Sequence, residues 1–146
     1  MVIHLVQSVV SLFYLAYMSY KDIKNRMINR NVIFSYIAVM VILGLFRKSF
    51  FELVISILPG LMLLLLSYIT DEKIGYADGF IVLGIGAFLG VMGLIITLVG
   101  ASIVLMMHNA RYLFVNYING TDINKEETVP LIPFLLVGMV VYYAVS

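Results

Sequence analysis

Residues 79–110 read GFIVLGIGAFLGVMGLIITLVGASIVLMMHNA, and none of them is Asp, Glu, Lys or Arg. Continued as one helix to Ile118, this stretch would measure roughly 60 Å, about twice the thickness of a bilayer core. It therefore reads as two membrane spans joined by a turn. The turn is predicted at residues 90–93, where Gly90 and Gly93 tolerate backbone angles that other residues avoid.

Working outward, the rest of the chain divides in the same way. Of its 146 residues, 63% are hydrophobic and only 12% charged, against about a quarter charged in a soluble domain. The water-facing shell is mostly missing, so lipid must replace it. Residues 2–20 form a first predicted span, and a polar stretch follows over 21–31. A short second span covers 32–46, Arg47 and Lys48 interrupt, and a third span covers 50–69. Residues 70–78 are polar again and precede the fourth and fifth spans. A last polar stretch over 116–128 leads to a sixth span over 129–145. The expected fold is all-α: one membrane-embedded domain over residues 1–146 with about six transmembrane helices. The first 20 residues lack a basic segment and a small-residue cleavage site, so they read as a retained span and not a signal peptide.

Basic residues fix the expected orientation. Lys21, Lys24, Arg26, Arg30, Lys73, Arg111 and Lys125 fall on one side, and only Arg47 and Lys48 on the other, which accounts for all nine Lys and Arg. The loops after spans one, three and five are therefore expected in the cytoplasm, with both termini outside, in a multi-pass protein of the cell membrane.

Some chemistries are excluded by composition. The chain has no cysteine, which removes disulfides, zinc–thiolate sites and thiol nucleophiles. The formal net charge is +1, which argues against nucleic-acid binding. His4 and His108 fall near opposite ends of the membrane and cannot share a metal, so neither metal nor cofactor is expected. Serine and histidine form no triad-like pattern.

Two aspartates remain. Asp22 is expected just past the end of the first span and Asp78 just before the start of the fourth, so both fall at the inner boundary. Carboxylates near a bilayer core are costly and mark function often enough to be informative. Two carboxylates sharing a proton are the minimal equipment of an aspartic protease: one takes a proton from water, and the other donates to the scissile carbonyl. The plainer reading makes both of them solvated loop residues, with Asp78 an N-cap. Gly75 and Gly79 flank Asp78, as Gly86 and Gly90 follow further along the span, at spacings that let helix backbones approach closely.

Three blocks carry a resemblance. YKDIKNRMINRNVI over residues 20–33 resembles the first block of the type IV prepilin peptidases, where an aspartate opens a basic segment; Asp22, Lys24, Arg26 and Ile28 match. IGYADGF over residues 74–80 resembles the Gly-x-Gly-Asp block of that family, through Gly75 and Asp78. VPLIPFLL over residues 129–136 resembles its closing Pro-Phe segment, through Pro130, Pro133 and Phe134. The resemblance implies an Asp22/Asp78 catalytic pair that removes the short basic leader of prepilin-like membrane proteins at the cytoplasmic face. Gly75, Ala77, Gly79, Lys24, Arg26 and Asn29 would shape the site or touch substrate. Ala77 stands where the family has its second glycine, and Asn29-Arg30 where Pro-Asn is usual. The cysteine-containing cytoplasmic region linked to N-methylation in larger members is absent, so the chain resembles a minimal, peptidase-only form. The competing expectation is a small proton- or cation-coupled transporter, or a pilus or secretion assembly subunit without protease activity. A transporter would place its ionisable groups near the bilayer midplane and often show internal repeats. Here both acids lie at the boundary and the two halves share no repeat.

Overall fold

The computed structural model describes residues 2–25, 28–46, 48–70, 75–119 and 130–146. Among these residues the protein is all-helical. Helix α1 covers Val2–Asn25, α2 Arg30–Leu45, α3 Phe50–Ile69, α4 Tyr76–Asn119 and α5 Ile132–Val145.

Helices α2, α3 and α5 begin where the sequence supplies a start. Asn29 caps α2, its side-chain oxygen accepting the Asn31 N–H at 3.1 Å. Ser49 and Glu52 form a reciprocal capping box at the start of α3. Pro133 lies in the first turn of α5, where its missing N–H costs nothing.

Helix α4 is not straight. Gly90 has φ 86 and ψ 179, outside the helical region, and divides the element into arms over residues 76–89 and 91–119. The turn expected at 90–93 falls at Gly90. Its positive φ is reached cheaply only by glycine. The register of the packed residues shows that the chain doubles back there. Gly60 of α3 meets Leu83, Gly79 meets Leu64 and Gly86 meets Ser56, so α3 runs antiparallel to the first arm. Gly93 lies beside Tyr142 and Gly138 against Thr97 and Ala101, so α5 runs antiparallel to the second arm. A Cβ at Gly86 would lie 3.3 Å from Leu94 Cδ2, whereas eight residues of unbroken helix span about 12 Å. Tyr36 and Gly44 of α2 follow Gly84 and Ala87 in parallel with the first arm.

The break leaves carbonyls to satisfy. In an unbroken helix the oxygens of Gly86 and Ala87 would accept the N–H groups of residues 90 and 91. Here the Lys48 ammonium donates to both, at 3.3 and 3.1 Å. It supplies the positive charge that a helix C-terminus favours. Lys48→Met is expected to lower stability in detergent by about 1–2 kcal/mol, read from thermal unfolding.

Leu15, Met18, Tyr36, Met40, Ile81, Ile85, Phe88, Leu94, Leu135 and Met139 build the core, drawn from α1, α2, both arms of α4, and α5. The outer surface is also apolar: Phe13, Phe51 and Met92 are 74%, 73% and 77% exposed. Two helical stretches, Phe50–Ile69 and Tyr76–Ile118, are long and apolar enough to cross a membrane; Arg30–Leu45 and Ile132–Val145 are apolar but shorter. Against the expectation of about six spans, the described residues hold five helices, one of them bent, and two stretches of spanning length.

Helix boundaries differ from the expectation in several places: α2 begins at Arg30, and α4 begins at Tyr76 and runs to Asn119, so both take in residues expected to be polar linkers. The polar stretch 21–31 was expected outside the helix, yet α1 continues through Asn25. Charged side chains end an apolar run without ending a helix, because Lys is a good helix former. At the other end, α5 starts at Ile132 and not at residue 129.

Candidate functional site

Asp22 lies inside the last turn of α1, not beyond it. Asp78 lies in the first turn of α4, its N–H donating to Gly75 O at 3.1 Å. It is therefore not the N-cap that the plainer reading made it. Gly79, packed on Leu64, sets Asp78 level with residue 65 of α3, close to one end of the bundle. The two aspartates lie 56 residues apart in the chain (78 − 22), and both are half-buried. The Asp22 carboxylate bears electrostatically on Asp78.

The residues around them divide in role. Gly75 is exposed, and a Cβ there would meet Asp78 Oδ2 at 3.2 Å. Open space beside the carboxylate is thus kept by the missing side chain. Gly79 is buried and serves packing: a Cβ would press on the Leu64 side chain at 2.8 Å. Ala77 is half-buried between them. Lys24 is exposed with its ammonium 5.8 Å from the Tyr20 ring centroid, so it stacks on its own helix. Asn29 is occupied as the cap of α2. Arg26 lies outside the described residues. The structure therefore brings together Asp22, Asp78, Gly75, Ala77 and Gly79, and gives Lys24 and Asn29 local partners.

His108 packs edge-on against Phe134, ring centroids 5.6 Å apart. Among the described residues no cluster of three or more His, Cys, Asp or Glu could hold a metal ion.

Sequence reasoning missed the partner of Lys48, which it read only as an outer charge. It also missed a polar tie between the first and last helices, Ser11 to Tyr143 at 3.2 Å. Neither has a local signal, because the partners lie 38 to 132 residues apart.

The model of the type IV leader peptidase family matches residues 9–108, a stretch that contains both aspartates. No curated protein matches the chain. No solved structure matches it either.

Proposed function

Because the chain belongs to the type IV leader peptidase family, we propose that it is a membrane aspartic endopeptidase that removes the short basic leader of prepilin-like proteins at the cytoplasmic face. The observation that supports this reading is that Asp78, in the first turn of α4, lies near enough to Asp22 to feel its charge. In this reading six spans cross the cell membrane, and the loops rich in Lys and Arg face the cytoplasm.

The chemistry follows from one proton held between two carboxylates. The ionised member takes a proton from water as the water oxygen attacks the scissile carbonyl carbon. The protonated member donates to the carbonyl oxygen. Collapse of the tetrahedral intermediate breaks the C–N bond: the leaving amine takes up a proton from one carboxyl group, a hydroxyl of the intermediate returns a proton to the other, and the singly protonated pair is restored. No covalent enzyme intermediate forms.

This mechanism predicts a bell-shaped dependence of single-turnover cleavage on pH. Two carboxylates close together favour the singly protonated pair. The rate should fall on the acid side as a second proton binds and on the alkaline side as the shared proton leaves. The values read from the curve belong to the pair and not to either residue. A rate that stays flat far into alkaline conditions would contradict a shared proton.

Gly75 offers a second test. Gly75→Ala would crowd Asp78 Oδ2 while touching no other helix among the described residues. Cleavage should slow by about tenfold, the loss expected when a reacting group is misplaced by a fraction of an ångström. Thermal stability should stay within about 0.5 kcal/mol of the parent.

A further inference from the structure

Helix α1 carries Asp22, but it packs on α5 and, over a shorter stretch, on α2. Among the described residues its backbone makes no close approach to that of α4, which carries Asp78, although Leu15 and Met18 share the core with α4 side chains. The separation of the two carboxylates therefore depends on how α1 sits against its backbone neighbours, of which α5 is the more extensive. In a bilayer the hydrophobic effect does not hold such a seam, because lipid is as apolar as Leu15 or Met18, so its register rests on close packing and on polar contacts. Polar contacts are discriminating, since a shifted register leaves them unpaired.

The seam holds such a contact. Ser11 is fully buried on α1, and its hydroxyl donates to Ser8 O at 2.8 Å. That uses its single hydrogen. Tyr143 of α5, 3.2 Å away, is then the donor to Ser11 Oγ. The result is a directed chain, Tyr143 O–H to Ser11 Oγ–H to Ser8 carbonyl. Tyr14, one turn further along α1, packs its ring 6.2 Å from that of Tyr36 on α2. The tie lies eleven residues from Asp22 on the same helix, about 16 Å along the axis.

We propose that the Tyr143–Ser11 hydrogen bond sets the axial register of α1, and so the position of Asp22 relative to Asp78, which makes Ser11 and Tyr143 positioning residues for cleavage. This rests on the peptidase reading for its consequence in turnover, but not for its geometry.

Two readouts separate these. The chain lacks cysteine, so spin labels can be placed at Ile23→Cys on α1 and Tyr68→Cys on α3, both exposed at the aspartate end. In the labelled protein, Tyr143→Phe and Ser11→Ala should each broaden or shift the distance distribution. In the unlabelled protein, each should slow single-turnover cleavage by roughly three- to tenfold with KM nearly unchanged. The double variant should be no slower than the worse single one, because both remove the same bond. Ser11→Thr, which keeps the hydroxyl, should restore the parent distance. If Thr overfills the seam and fails to fold, Tyr143→Phe alone decides. Unchanged distances in Tyr143→Phe and Ser11→Ala would overturn the proposal. So would shifted distances at unchanged turnover, or additive losses in the double variant. If the parent protein cleaves no leader at all, the peptidase reading fails, while the distances still decide whether the tie sets the register.

Discussion

Asp78→Asn and Asp22→Asn are each expected to abolish leader cleavage, lowering the single-turnover rate by about 10³-fold or more. Asn matches Asp in shape and size, so packing at the two half-buried positions is preserved. What it removes is the ability to take or give a proton. Because the proposed mechanism needs one carboxylate as base and the other as acid at the same moment, neither residue can cover for its partner. The double variant should be no worse than either single one, as expected of groups that act as a unit. Asp78→Glu keeps the carboxyl but lengthens it by a methylene, in a space where Oδ2 already lies 3.2 Å from the Cβ position of Gly75. It should recover only a small part of the rate. Solubilisation and melting temperature serve as controls, and both should match the parent. Near-normal turnover in either Asn variant would reduce these residues to surface charges.

Gly60→Ala carries a large expected effect on stability. Its added Cβ would overlap the backbone of Leu83 at the crossing of α3 and α4. Backbone atoms cannot rotate away as a side chain can, so the two helices must separate. Overpacking of this kind costs about 3 kcal/mol. In a bilayer, where close helix approach and dispersion replace the hydrophobic drive, lost contact is not regained elsewhere. Gly79→Ala is the informative comparison. There the obstacle is the Leu64 side chain, which can change rotamer, so the penalty should be markedly smaller. Thermal unfolding of both variants in one detergent measures the difference. Equal stability of the Gly60 variant and the parent would mean that α3 and α4 do not cross as described.

The legible parts of the fold were those that bilayer thickness governs. An uncharged run from residue 79 to 110 cannot be one span, so a turn was required, and Gly90 supplies it. The positions of Asp22 and Asp78 at one end of the bundle followed from the same counting of spans. The end of α1 was less legible. Lys21, Asp22 and Lys24 mark where the apolar run stops, but the backbone hydrogen bonds of a helix do not depend on side-chain polarity, and α1 runs on through Asn25. Asp22 is consequently held on a helix and not in a loop, which limits how far it can move. Small residues around Asp78 were visible as a pattern, but not their division of labour. Only the packed structure separates Gly79, which lets α3 approach, from Gly75, which leaves room beside the carboxylate. Lys48 illustrates the limit of local reading. Its partners are carbonyls freed by a break 42 residues further along the chain, and only three-dimensional proximity reveals them.

The most direct test of the account is the mass of a prepilin-like substrate after a single turnover with the purified protein in detergent or liposomes. The substrate should carry its basic leader and the apolar segment that follows. The account predicts that the parent protein shortens it by the mass of the leader, that cleavage needs no added metal or cofactor, and that the Asp78→Asn protein leaves it intact. A substrate left at full mass by the folded parent protein, or shortened equally by the Asp78→Asn variant, would contradict it.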